Sequence, residues 1–306
     1  MIPGVTGPSS GRAFVRTLLR SSAFSVLLIG AAACAAGVPA GPGCLPDGPS
    51  VSLPAEINES SGVAWSIRHP GVIWTINDGR DQNLYAVDST GALLARVSMD
   101  LPEVWDVEDL SIAPCGAESC LFVADIGDNY RFRDTISVYR VREPDLDAER
   151  ATVESFHMRL PDGPVDIEAM LLSQAGELWL LSKGNREPVS LFRYPGALRS
   201  DTIMPLEEVH RIESSGRFLQ RQITGASSVP GSDLFVVRTY ESLAVYRIQD
   251  SMLQMVEGSQ LPLGTLREAQ GEALSVRADG RVVLTSEAGP LGGLGGMNFL
   301  RCTVGG

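Results

Sequence analysis

Histidine is scarce: among 306 residues only His69, His157 and His210 carry an imidazole. A zinc centre or a Ser-His-Asp triad needs histidine where functional side chains converge. None of the three falls on the polar repeat described below, which argues against both chemistries. No Gly-x-Ser-x-Gly nucleophile elbow occurs beyond the N-terminal leader. Positive charge is in deficit, with 25 Lys and Arg against 37 Asp and Glu for a net charge of −12. Removal of a leader holding Arg12, Arg16 and Arg20 leaves 22 basic against 37 acidic residues, or −15. A surface of that sign repels phosphate backbones and anionic headgroups, so nucleic acid is not an expected partner, whereas cations or neutral ligands are. The apolar run 23–38 is sixteen residues long, short of the ~20 that span a bilayer as a helix.

What is present suffices for a large core. At 44% hydrophobic and 20% charged, the chain can form one large domain or two ordinary ones. The three early arginines followed by the apolar run read as an export signal over 1–33. Within it, Leu28-Ile29-Gly30-Ala31-Ala32-Ala33-Cys34 resembles a bacterial lipobox. That resemblance implies diacylglyceryl transfer to the Cys34 thiol and cleavage before it; ordinary signal peptidase cleavage near Ala33 is the alternative. Residues 34–50, rich in Gly, Pro and Ala, read as a tether, leaving 51–306 as the folded domain. The expected location is the cell envelope, with a lipid on Cys34 as the only membrane contact and the protein a monomer.

Five cysteines leave one over in an exported protein. With Cys34 as the anchor, four remain. Cys115 and Cys120 lie in a Pro-Cys-Gly-Ala-Glu-Ser-Cys turn whose spacing can close a small loop. Cys44 and Cys302 then pair by exclusion, tying the two ends of the folded region in an oxidising compartment.

From residue 51 onward, alternating or β-branched segments are separated by Gly, Asp and Asn turns, and no long stretch has helical periodicity. The class is all-β. An aromatic follows a mostly aliphatic residue in Leu84-Tyr85, Val138-Tyr139, Leu191-Phe192 and Val245-Tyr246, with Asn298-Phe299 as a degenerate fifth copy. The aromatics are 54, 53, 54 and 53 residues apart, a period that accommodates four short strands, as in one propeller blade. In the first unit, 62–67, 71–76, 83–87 and 92–99 supply four strands; in the last, 272–277, 281–286 and 298–303 supply three. Residues 51–57 are available to close that last blade. The chain thus resembles five-bladed β-propellers, and more loosely the exported bacterial propellers grouped as phytase-like, SMP-30-like or NHL-like. A sixth blade would need shorter units than the aromatic spacing allows.

A second repeat is polar. Each first strand opens with an oxygen-bearing residue, then a small or acidic one, then an apolar one: Ser61-Gly62-Val63, Glu108-Asp109-Leu110, Glu168-Ala169-Met170, Thr224-Gly225-Ala226 and Glu272-Ala273-Leu274. First strands are innermost, so these five side chains are expected to ring the channel at one level. Three carboxylates and two hydroxyls suit a hard cation, Ca²⁺ above all, which takes six to eight oxygens at roughly 2.3–2.6 Å. The alternative is a hydrated polar channel. The ring of Ser61, Glu108, Glu168, Thr224 and Glu272 resembles the channel calcium site of the five-bladed calcium-activated nucleotidases (apyrases), and the resemblance implies that these residues hold the ion.

The second strands end in Asp78, Asp125, Lys183, Arg238 and Glu287, which antiparallel pairing directs to the same end of the channel. Two cations beside several carboxylates could orient an anionic substrate against a metal-bound water, or could neutralise the carboxylates. Asp125, Asp128, Asn129 and Asp134 form a further acidic loop; it fits a turn better than a second calcium site. Gly289 to Gly296 makes a flexible loop over the same face. Trp65, Trp74 and Trp179 lie in expected strands and suit packing between blades, whereas Trp105 lies in a loop and can serve as a ligand surface. The expected function is a divalent-cation site at the channel face, acting as a hydrolase of phosphoryl or ester bonds or binding a small molecule or protein without catalysis.

Overall fold

The computed structural model describes residue 1 and residues 43–184, 187–212, 222–289 and 293–302. The segment expected to be an export signal, Met1 apart, the expected acylation site Cys34 and most of the expected tether lie outside the described residues. The chain from Gly43 onward forms five antiparallel sheets, the five blades of a propeller, with parallel pairing confined to two short linker strands. Their innermost strands are Ser60–Trp65, Val107–Cys115, Ile167–Leu172, Ile223–Ser228 and Gln270–Val276, each packed on the next and the last on the first. Among the described residues no helix is long and apolar enough to cross a membrane.

Burial follows distance from the axis. A blade is covered on both faces by its neighbours, so inner strands read as continuous apolar runs rather than alternating ones. Ile73–Asn77, Ile167–Leu172 and Leu178–Ser182 are buried throughout, whereas the outer Leu93–Met99 alternates between exposed and buried positions toward its end. The core is accordingly five slabs, one in each gap between blades. The repeated aromatics all lie in third strands, and Tyr85, Tyr139, Phe192 and Tyr246 fill the gap toward the preceding blade. Phe299, the degenerate copy, faces the opposite gap and lies 5.9 Å from Trp65. Side chains of a strand alternate, and in this blade the neighbouring Leu300 takes the aromatic's usual gap.

The last blade has three strands of its own, Gln270–Val276, Arg281–Glu287 and Gly296–Cys302. The N-terminal chain closes it as expected, but of 51–57 only Val51–Ser52 pairs as strand, and a second strand is added upstream. Cys44–Pro46 and Val51–Ser52 pair antiparallel with Gly296–Cys302, in a register that sets Cys44 opposite Cys302 and Val51 opposite Met297. Pairing therefore reaches into the stretch read as a tether. It ends where Leu53 N–H donates to Gly295 O at 2.8 Å, because Pro54 has no N–H to continue the ladder. Leu53 and Ile57 instead drop into the slab between the last and first blades. Both expected disulfides are present, Cys44–Cys302 and Cys115–Cys120, and they fit an oxidising compartment. Linker strands Arg150–Ala151 and Ile203–Pro205 run along the outer edges of the first and second blades, covering backbone groups that would otherwise be open to pairing.

Candidate functional site

Each innermost strand carries a β-bulge at the same place. The ladder to the second strand shifts register between Ser60 and Gly62, Val107 and Asp109, Ile167 and Ala169, Ile223 and Gly225, and Gly271 and Ala273. The residues skipped are Ser61, Glu108, Glu168, Thr224 and Glu272, the five members of the polar repeat. A bulged residue is released from the ladder and its side chain is re-aimed, so the repeat is a structural device as well as a sequence pattern. All five are buried.

The residue after each bulge must be small because the inner strands approach closely. A Cβ on Gly62 would stand 2.5 Å from Leu110 N, and one on Gly225 would stand 2.7 Å from Glu272 O. Asp109 is the exception. Its carboxylate accepts N–H bonds from Leu110 and, on the third blade, from Met170, each at 2.7 Å. It is fully buried, and burial pushes its pKa up to about 7 against the pull of those N–H groups.

The five ring residues have different surroundings. Ser61 Oγ donates to Val107 O at 2.8 Å, joining the first and second blades. Glu168 accepts from Lys183 Nζ at 2.6 Å. Gln270 Nε2 donates to Glu272 Oε1 at 2.8 Å. Thr224 Oγ1 is buried and has no hydrogen-bond partner among the described residues. No hydrogen bond from the described residues reaches the Glu108 carboxylate, and its burial, reinforced by the charges of Glu168, Asp78 and Asp106, raises its pKa well above the ordinary value.

Of the second-strand termini, three face this centre. Lys183, the only lysine in the chain, pairs with Glu168 and lies 3.9 Å from Asp166. Burial pulls its ammonium pKa down, but the Glu168 carboxylate overrides this and the net shift is upward. Asp78 is pushed up to about 7 by burial and by the charge of Asp106, and Glu287 to about 8 by burial and the charges of Glu272 and Asp78. The other two termini of the expected set, Arg238 and Asp125, are held by fixed partners. Arg238 is fully buried and crosses into the fifth blade, donating to Ala273 O at 2.7 Å and Thr285 O at 3.1 Å and pairing with Glu268. Gly271 is obligatory beneath it, since a Cβ there would lie 1.7 Å from the guanidinium. Asp125 is buried in an ion pair with Arg133 at 2.9 Å and accepts N–H bonds from Trp105 and Asp106. It fixes the loop that follows. Asp128 does the same, accepting from Phe132 N and Arg133 N at 3.0 and 2.9 Å, so this acidic loop is a turn.

The tightest convergence of acids is Asp78, Asp106 and Glu108, whose ligand oxygens lie within 4.8 Å of one another. This is the one such cluster of acids, histidines or cysteines among the described residues. Only Glu108 belongs to the ring, and Asp106 was missed. A signal was present: two residues before each ring position stand Glu59, Asp106, Asp166, Gln222 and Gln270, five carboxyl or amide side chains at one repeat position. Gly127 closes the side of the cluster, for its Cβ would stand 2.5 Å from Glu108 Oε1 and 2.6 Å from Asp106 Oδ2. Beyond it, Trp105, Asn129, Tyr130, Phe132 and Arg80 surround a recess of about 340 Å³ that also includes Asp106. A second funnel, about 610 Å³ and mostly apolar, is lined by the C-terminal ends of the inner strands, the opposite ends from the bulges.

No protein-family model matches the chain, and no curated protein matches it. Solved structures do. The PQQ-bound form of aldose sugar dehydrogenase (Adh) from Streptomyces coelicolor is 9% identical with a TM-score of 0.49, over 85% of this chain and 100% of that one. U3-55K is 11% identical with a TM-score of 0.40, over 78% and 67% of the respective chains. The β-propeller domain of Cps50 (Swd1) from Myceliophteria thermophila is 11% identical with a TM-score of 0.40, over 80% and 84%. At these identities the likeness concerns the fold alone.

Proposed function

We propose that this protein is a cell-envelope propeller that binds a divalent cation, Ca²⁺ by preference, at the bulge-side mouth of its channel, and uses that face to hold a ligand. The observation that carries the reading is the convergence of Asp78, Asp106 and Glu108 within 4.8 Å. Three carboxylates so close, with one of them reached by no hydrogen-bond donor among the described residues, are stable when protonated or when a cation neutralises them. Oxygen ligands of this kind select a hard cation, and carboxylates that bind in one- or two-oxygen modes suit the larger, more flexible shell of Ca²⁺ over Mg²⁺.

Binding is favoured over hydrolysis of an anionic ester. Lys183 is committed to Glu168 and Arg238 to Glu268, which leaves neither of the two expected cations free to orient a phosphoryl group. The test is a thermal melt of the purified exported domain in millimolar Ca²⁺ and in chelator. A ligand at a hundred times its Kd adds about 2.7 kcal/mol if it binds only the native state, so the melting temperature is expected to rise with Ca²⁺, and the rise to vanish in Glu108→Gln and Asp106→Asn. Identical melts with Ca²⁺ and with chelator would refute the cation site.

A further inference from the structure

We infer that the recess beside Asp106 is a binding site for a neutral saccharide. Three large aromatic side chains stand exposed on two neighbouring loops: Trp105 at 45%, Phe132 at 56% and Tyr130 at 86% of full exposure. Aromatic surface normally lies in a core; here two loops hold it out beside a polar recess, and exposed apolar surface rimmed by polar groups marks a ligand site. The position is built rather than loose. Trp105 N–H and Asp106 N–H are fixed on the buried Asp125 carboxylate, which is locked to Arg133, and Phe132 N–H is fixed on buried Asp128. Trp105 and Phe132 meet edge to face, with ring centroids 5.8 Å apart and planes at 73°.

The rim decides the chemistry of the occupant. Asp106 offers carboxylate acceptors, Asn129 offers an amide that both donates and accepts, and Arg80 offers guanidinium donors. A hydroxyl gives and takes one hydrogen bond at once, so vicinal hydroxyls on a ring match this mixture, while the C–H faces of the same ring match the aromatics. An anion would meet the Asp78, Asp106 and Glu108 cluster. An organic cation would meet Arg80, whose guanidinium already lies 4.9 Å over the Trp105 ring. The volume of about 340 Å³ falls within the usual range for small-ligand sites. This inference rests on the proposed function in one respect: Asp106 is common to the recess and the cation site, so sugar hydroxyls could complete the shell of a bound ion without adding negative charge.

Isothermal titration calorimetry of the exported domain with cellotriose, maltotriose, mannotriose and chitotriose, in Ca²⁺ and separately in chelator, tests the site. Saturable binding of at least one trisaccharide is expected, weakened at least about tenfold (about 1.4 kcal/mol) in Trp105→Ala and in Phe132→Ala. Both side chains are exposed, so these variants should melt as the parent does. Their Ca²⁺-induced thermal shift should also persist. Binding in chelator as well as in Ca²⁺ would uphold the saccharide site independently of the cation. A Ca²⁺ shift without binding of any trisaccharide, or equal binding by parent and both variants, would overturn the inference while leaving the cation reading intact. Binding of choline or arginine in place of every sugar would overturn it in favour of a cationic ligand.

Discussion

Two buried carboxylates show how partners rather than burial decide what an acid does. Burial pushes Glu143 upward, but donors from Ser119, Ser66, Trp74 and the Arg68 N–H overcome it, and the net pKa is lowered. Glu108 is buried without a donor among the described residues and is surrounded by like charge, so its pKa goes the other way. The first is a structural acid, and the second is the acid proposed to meet a cation. Lys183 is the counter-case: its side chain is 13% exposed and its partner Glu168 is 2% exposed. Lys183→Met leaves that carboxylate buried and unpaired, and is expected to destabilise the protein by about 3–5 kcal/mol in urea unfolding, with Glu168→Gln costing less. A raised native pKa also fixes the sign of the pH dependence. Asp78, Asp109 and Glu287 bind more protons folded than unfolded between about pH 4 and their native values, which are about 7, 7 and 8. Stability contributed by these groups is therefore present at pH 4 and declines as the pH rises to 8. Melting temperatures measured in chelator should fall across that window, and Ca²⁺ should flatten the fall; a rise in chelator would refute the assignment.

At the scale of the strand and loop, the bulges account for much that was legible in sequence. Five oxygen-bearing residues at one repeat position marked the bulges, and five aromatics marked the third strands, because blade geometry repeats; only the fifth aromatic, Phe299, is out of step and faces the other gap. Arg238 and Asp125 sit at equivalent repeat positions too, yet the structure turns them to fixed partners. Those partners, Glu268 and Arg133, come from loops outside the repeat, where no period reveals a contact. Asp109 was hidden for a related reason: its acceptor role depends on the Met170 N–H of the third blade, a distance in sequence that spacing cannot show. The loop carrying Gly127 gives a direct test of how tightly one element holds another. Gly127→Ala places a methyl against the Glu108 and Asp106 carboxylates. The fold should survive, and the Ca²⁺-induced rise in melting temperature should be largely lost; a full rise would mean that the cation lies elsewhere.

Across the whole molecule, the ring of blades has one seam, and the chain closes it with both β-pairing and a covalent bond. Cys44–Cys302 spans 258 residues of sequence, whereas Cys115–Cys120 spans 5. In the loop-entropy treatment the first stabilises by roughly 5 kcal/mol and the second by roughly 2 kcal/mol. Denaturant unfolding of Cys44→Ser with Cys302→Ser should therefore show the larger loss, and the first and last blades should separate before the others. Equal losses from the two pairs would mean that the seam is held by the strand alone.

The single lysine has a practical consequence for how this protein will look to a chemist. Arginine supplies every other cationic side chain, so amine-directed reagents have one internal address, and it lies in the channel, 13% exposed and paired with Glu168. Activated esters will mark the N-terminal amine and leave most of the surface blank, and lysine cross-linkers will find no outer anchor from which to map neighbours. The same scarcity turns Lys183 into a reporter. Reductive methylation with ¹³C-formaldehyde would place an internal dimethylammonium signal at the base of the acidic mouth, where its shift would follow the charge of the carboxylates around it without any other lysine in the spectrum.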